Sequence, residues 1–204
     1  MSGKIDYKVE FKSVYAPSAK AVSVVDVPAM NFLMVDGAGN PNSVPEYGEA
    51  VTALYAVAYA IKFAVKKQLE ADFTVMPLEG LWWAEDMDTF ITRAKEEWQW
   101  TMMVMQPNIV TPEMVQTCIE ETAKKKELPA LPKLRFVSYA EGTAAQIFYV
   151  GSYDDEAETI AKLHRFIEDN GYTLAGKHHE IYLNDPRRVA PEKLKTVIRQ
   201  PFRR

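Results

Sequence analysis

Apolar residues recur along the chain with a period that switches between two and three to four, and each switch predicts an element. Val22, Val24, Val25 and Val27, followed by Phe32-Leu33-Met34-Val35, predict strand over residues 21–36, with a break or edge at Pro28, which has no N–H to give a ladder. Residues 37–43, Gly-Ala-Gly-Asn-Pro-Asn-Ser, read as a loop because these types supply turn dihedrals. Leu54, Val57, Ala58, Ile61 and Val65 then recur at three and four, which predicts a helix over 45–69 with that stripe buried. Residues 73–76 read as strand, and 81–84, carrying Trp82 and Trp83, as its continuation or a second strand beyond Pro77. Phe90, Ile91 and Ala94 give 86–97 helical spacing, before strand over 98–105. Thr111-Pro112-Glu113 opens a helix running to about Lys126, with a hydroxyl N-cap, proline in the first turn and an acidic residue behind it.

Leu128-Pro-Ala-Leu-Pro132 is an extended linker and marks a boundary. Residues 135–139 and 144–150 flank Glu141-Gly142 and read as a β-hairpin. A helix follows over about 155–170, with Ile160, Leu163, His164 and Ile167 on one face and Gly171 at its end. Strands over 177–183 and 195–199 are joined by the turn Asn184-Asp185-Pro186. Both halves therefore run strand, glycine turn, helix, aromatic strand, acidic turn and final strand, with residues 82–86 in the place of 181–185. The expectation is one α+β domain over 1–204 built by internal duplication, with halves of about 20–127 and 133–204.

Composition narrows the partners. The 204 residues are 48% hydrophobic and 25% charged, an ordinary globular balance. With 24 Lys and Arg against 28 Asp and Glu the net charge is −4, so no basic field exists to neutralise phosphates, and no nucleic-acid partner is expected. Arg199, Arg203 and Arg204, like Lys124–Lys126, read as solvated ends. The single cysteine, Cys118, excludes an internal disulfide, fits a reducing compartment and has no visible partner for a catalytic role. No apolar leader is visible, and the apolar stretch 50–65, interrupted by Lys62, is too short for a bilayer. A cytoplasmic protein without a membrane partner is expected. Gly37-Ala-Gly39 lacks the third glycine and lysine of a phosphate-cradling loop.

The candidate chemistry lies in Lys177-His178-His179-Glu180-Ile181-Tyr182-Leu183. A period of two sends Ile181 and Leu183 to one face and His178, Glu180 and Tyr182 to the other. If the apolar face packs on helices, Glu180 faces a cavity, where lost hydration should raise its pKa and make it a base or a partner for cations. Adjacent His178 and His179 point to opposite faces without a third ligand, so no metal is expected, and no cofactor. Trp82 and Trp83 also alternate, so one faces the cavity and the other the core. The duplication pairs Trp83 with Tyr182, which favours Trp83 as the stacking surface. Trp98 and Trp100 share a face and extend the same wall or pack in the core. Of Phe148 and Tyr149, on opposite faces of their strand, the tyrosine matters more because a phenol can donate a proton. Glu79 is a second candidate carboxylate.

The segments Pro77-Leu-Glu-Gly-Leu-Trp-Trp83, Val150-Gly-Ser-Tyr153 and Gly176-Lys-His-His-Glu-Ile-Tyr-Leu-Asn-Asp-Pro186 carry a resemblance to the GyrI-like small-molecule-binding family. That family includes gyrase-inhibitory proteins and the effector domains of drug-sensing transcription regulators. The similarity covers roughly residues 20–202. It implies two strand-helix-strand-strand repeats related by a pseudo-twofold axis, forming a concave sheet with helices on the outer face. It also implies an aromatic small-molecule ligand, with Glu180 in the ligand site. The first 20 residues are too few for the helix-turn-helix module of many relatives, so a stand-alone role is expected. Some stand-alone members hydrolyse cyclopropane-bearing genotoxins. On that model Glu180 activates water, Trp83 and Tyr182 hold the flat ligand, and Tyr149 steadies or protonates the phenolate that forms. The alternative implied by the resemblance is binding without turnover, as a sequestering protein or one that moderates gyrase.

Overall fold

Pro28 divides the first apolar run into β1 (Ser23–Val27) and β2 (Met30–Ala38) in the computed structural model, which describes residues 4–85 and 94–203. The helix predicted over 45–69 has those bounds: α3 (Pro45–Leu69) begins with proline in its first turn and buries Ala50, Ala53, Leu54, Val57, Ala58, Ile61 and Val65. By length and composition α3 could cross a membrane. Its apolar stripe is instead spent on contacts with β2, with β4 (Gln99–Gln106) and with α4 (Pro112–Ala123). Thr111 caps α4 as predicted, its hydroxyl accepting from the Met114 N–H at 3.3 Å. Lys62, the one charge in the apolar run 50–65, pairs with Asp72 and donates to the Phe73 carbonyl at 2.6 Å.

The chain is α+β and divides into two compact units. One gathers Met30–Met76 and Trp82–Tyr139 with the residues before Lys8. In it β2 lies between β4 and β5 (Arg135–Tyr139), antiparallel to both. Gly37 pairs with Trp100 in that ladder, and a Cβ at Gly37 would come within 2.1 Å of the indole, so the ring occupies the space a side chain would need. The other unit gathers Lys8–Ala29, Pro77–Leu81 and Ala140–Arg204. Its strands run β1, β6 (Gly142–Val150), β9 (Lys195–Arg203) and β8 (His178–Tyr182), each antiparallel to the next, with the short β7 (Thr173–Leu174) also on β9. β3 (Leu78–Trp83) gives Leu78–Leu81 to this unit and its two tryptophans to the first.

One face of the second unit's strands carries Ala145, Ile147, Ile198 and Phe202, closed by Leu163 and Ile167 of α5 (Ala157–Asp169). Gly171, at φ +76°, ends that helix as its sequence position predicts. The opposite face is covered from the N-terminus. After α1 (Tyr7–Glu10), α2 (Lys12–Tyr15) buries Val14 and Tyr15, and the Ser13 and Val14 carbonyls accept from Gln146 on β6 and Arg199 on β9.

Three expectations change. Residues 135–139 and 142–150 are strands but not a hairpin, because β5 pairs with β2 whereas β6 pairs with β1 and β9. Residues 73–76 form no strand. Phe73 makes only an isolated bridge to Ile5, consistent with an apolar run too short to hold a ladder of its own. Arg199 is no solvated end: β9 runs on to Arg203, and Arg199 is fully buried within it. The helix expected over 86–97 falls mostly outside the described residues. Its last turn, Lys95–Glu97, is 3-10 helix.

Candidate functional site

Strand alternation brings His178, Glu180 and Tyr182 to one face of β8, and there they bond to one another. The His178 Nε2 lies 3.1 Å from Glu180 Oε1, and the Tyr182 hydroxyl donates to Oε2 at 2.8 Å. Both carboxylate oxygens are therefore engaged, and Glu180 is only 8% exposed. Burial pushes its carboxyl up, but the hydrogen bond and charge of His178, with further hydrogen bonds from Tyr182 and Glu156, outweigh that and hold it below the usual range. The expectation of a raised pKa is thereby corrected. Hydration is lost, but charge-stabilising donors more than replace it, so Glu180 is ionised at neutral pH.

The register fixes what shares this face. Glu180 pairs with Ile198, which pairs with Ile147, and Tyr182 pairs with Thr196, which pairs with Tyr149. Glu180 thus stands on the side of the sheet that α5 covers, next to the apolar core rather than across the sheet from the helix. Tyr149 belongs to the same face, half-buried against the core, and its hydroxyl donates to the Ser152 carbonyl at 2.9 Å. Tyr153 meets the Tyr182 ring edge-on, with centroids 5.5 Å apart. Burial, then the nearby charge of Glu180, pushes its phenol far up. His164 on α5 is held down to about 4 by burial and the charge of His178, so it is neutral at pH 7.

The opposite face holds a second, larger polar assembly. His179 Nε2 lies 3.0 Å from Glu79 Oε2 and its Nδ1 lies 2.9 Å from Glu141 Oε1. Tyr15 donates to the other Glu79 oxygen at 2.8 Å. Arg199 donates to Glu141 at 2.9 Å, to Gln146 at 3.0 Å and to the Val14 carbonyl at 2.6 Å. Tyr15, Glu79, His179 and Arg199 are each 1% exposed or less. Two carboxylates around one imidazole require both ring nitrogens to donate, and hence a charged ring. Burial works against that charge, but Glu141 and Glu79 raise the ring's pKa to about 8. For Glu141 burial pushes up, while His179 and Arg199 bring its carboxyl down to about 2. Two anions and two cations balance, which is the condition for keeping such groups in the interior.

Of the sequence candidates, Glu180, His178, Tyr182, Tyr149, Phe148 and Glu79 belong to this unit. Phe148 is half-buried on the Gln146 face of β6, and Glu79 is fully buried in the His179 assembly. The tryptophans belong to the other unit. There Trp82 is buried between Tyr47, stacked at 6.2 Å, and Trp98, edge-on at 5.8 Å. Trp100 is wholly in the core with its indole N–H donating to the Gly39 carbonyl at 3.3 Å. Trp83 and Trp98 are half-buried. A groove between α3 and α4, lined by Ala56, Ala60, Glu121, Thr122, Lys125 and Lys126, has no comparable acid-base set. Among the described residues no group of three His, Cys, Asp or Glu side chains could hold a metal ion.

Tyr15, His179, Glu141 and Arg199 were invisible as a site in the sequence, because they meet from four separate segments. Tyr153 and Glu156 had a weak signal, standing within or just after the Val150–Tyr153 motif.

The model of the GyrI-like small molecule binding domain matches residues 20–203. An uncharacterized conserved protein from Listeria innocua is 41% identical, with a TM-score of 0.90, over 98% of this chain and 100% of that one. A second Listeria innocua protein, described as a hydrolase, is 39% identical with a TM-score of 0.85 over the same shares. The C-terminal domain of EcmrR shares the fold at 13% identity, with a TM-score of 0.56 over 90% of this chain and 98% of that one. No curated protein matches.

Proposed function

Since the chain belongs to the GyrI-like small molecule binding domain family, we propose that it binds a flat aromatic molecule and hydrolyses a strained cyclopropane ring on it, with Glu180 as the base. The observation that carries this reading is the state of Glu180: a buried, ionised carboxylate held by two donors beside the Tyr153 and Tyr182 rings. The Listeria innocua relative described as a hydrolase supports turnover over mere capture.

In the proposed step a water oxygen forms a bond to a cyclopropane carbon while its proton passes to Glu180. The C–C bond that breaks releases its electron pair into the conjugated dienone, which becomes a phenolate and is then protonated. His178 and Tyr182 keep the carboxylate aligned, and the tyrosine edges exclude bulk water. Tyr149 steadies the phenolate oxygen in this scheme after exchanging its bond to Ser152. Trp83, half-buried at the end of β3, is the proposed stacking surface of its own unit.

The test is incubation of the protein with a tenfold excess of a cyclopropane-dienone compound, followed by mass spectrometry for a product heavier by one water. The expected outcome is conversion of the excess and, with Glu180→Gln, loss of at least about 10²-fold in rate while ligand quenching of tryptophan fluorescence persists. Saturation at one unaltered ligand per chain would replace this reading with sequestration.

A further inference from the structure

The face of α3 opposite its buried stripe is apolar too. Between Glu49 and Lys62 the helix has no charged residue, so about three turns of it show none to water. A helix apolar all round is normally covered all round. Here Tyr59 is 50% and Phe63 61% exposed, one turn apart. Tyr55 continues their row one turn earlier, its ring centroid 6.4 Å from that of Tyr59. Single exposed apolar side chains are ordinary, but a continuous row of them marks a contact surface.

A second row, of small residues, runs beside the aromatic one. Gly48, Thr52, Ala56 and Ala60 follow at intervals of four, and the last two line the groove that Glu121, Thr122, Lys125 and Lys126 close on the α4 side. The hydroxyls along it are already engaged. Thr52 donates to the Gly48 carbonyl and Thr122 to the Cys118 carbonyl, each at 2.7 Å, so both threonines bond back onto their own helix. A Cβ built at Gly48 would meet nothing within 4 Å, so the row opens onto free space.

We propose that this face pairs with the same face of a second copy of the chain, the two α3 helices antiparallel about a twofold axis. Rows at i and i+4 are the ridges and grooves by which helices pack, and here a large ridge and a small groove lie side by side on one helix. A twofold partner sets its Tyr55, Tyr59 and Phe63 against the Thr52, Ala56 and Ala60 row of the first copy and receives the reverse. That is the self-complementarity an isologous contact requires. Charge fixes the direction. Glu46 and Glu49 stand near the start of α3 and Lys66 and Lys67 in its last turn. Antiparallel pairing brings each acidic end to a basic one, whereas parallel pairing would set like charges together. Lipid fits this face less well, because Glu46, Glu49 and Glu121 border it and repel anionic headgroups. The pairing is independent of the hydrolytic reading, since α3 belongs to the unit that does not contain Glu180.

Sedimentation velocity from about 1 to 100 µM, a range that brackets micromolar affinity, tests the pairing. Wild type should pass from monomer to dimer. Phe63→Glu and Tyr59→Glu should each weaken association at least about tenfold, because each would bury a carboxylate against hydrocarbon. Both side chains are half or more in water in the single chain, so the variants should keep their fold, as circular dichroism will verify. Should either unfold, Ala56→Leu, which fills the groove, carries the same expectation.

The direction of pairing has its own test. At low salt Glu49→Lys and Lys67→Glu should each weaken the dimer about threefold or more, and the double variant should recover wild-type affinity. A double variant no better than either single one would overturn the antiparallel arrangement. Wild type that stays monomeric throughout, or a dimer indifferent to both Phe63→Glu and Tyr59→Glu, would overturn the pairing itself. So would a monomer that floats with phosphatidylglycerol vesicles and is released from them by Phe63→Glu, a result that gives the face to a membrane.

Discussion

Glu79 and His179, one hundred residues apart in the chain, meet at 3.0 Å with neither exposed by more than 1%. That contact joins β3 to β8, and through Tyr15 and Arg199 it also holds α2 on the sheet. It is the centre of a buried, charge-balanced set whose energetic weight differs from that of surface ion pairs such as Arg187 with Asp185, which lie in water and contribute little.

Removing the central cation should be costly. His179→Leu leaves Glu79 and Glu141 facing a hydrocarbon side chain, and breaking a buried ion pair in this way typically costs about 3–5 kcal/mol. Urea unfolding monitored by circular dichroism should show a midpoint lowered accordingly; an unchanged midpoint would mean that the carboxylates find other partners.

Stability should fall on the alkaline side. The His179 ring titrates at about 8 in the folded protein against 6.5 unfolded, so the folded state binds the proton more tightly. Its contribution, about 2 kcal/mol from that difference, is complete below pH 6.5 and is lost as the pH rises through 8. Glu141 acts in the opposite sense. With its carboxyl brought down to about 2 from 4.5, its contribution is complete above pH 4.5 and disappears as the pH falls through 2. Unfolding free energy measured from pH 6 to 9 should decline in wild type, and His179→Leu should flatten that decline.

Tyr15→Phe deletes one donor to a fully buried carboxylate and should destabilise by about 1.5–3 kcal/mol, the range for hydrogen bonds to charged groups. Amide exchange at Val14 and Tyr15 should quicken more than exchange in α3, because α2 loses one of its anchors while α3 packs in the other unit.

Gly37→Ala tests the other unit. The added methyl would fall 2.1 Å from the Trp100 ring, which has no exposed side to move toward. Overpacking of this kind costs about 1–3 kcal/mol, and thermal unfolding followed by tryptophan fluorescence should show a lowered midpoint in a single transition.

The elements that local pattern specifies were legible from the residues. The stripe from Leu54 to Val65 announced α3, Thr111-Pro112 placed the start of α4, and period two sent His178, Glu180 and Tyr182 to one side of β8. The resemblance drawn from three short motifs named the family that the match over residues 20–203 identifies.

Pairing and charge state were decided elsewhere. β5 and β6 looked like a hairpin because they are adjacent, yet which strand a ladder joins depends on long-range partners that no local window contains. Arg199 looked like part of a basic tail, and only the closure of β9 against β6 and β8, bringing Gln146 and Glu141 to it, made its burial affordable. Glu180 was placed by its period, but the sign of its shift came from the groups folded around it. A strand's periodicity states which way a side chain points, whereas its pKa depends on what else arrives there, and that is a property of the assembled chain.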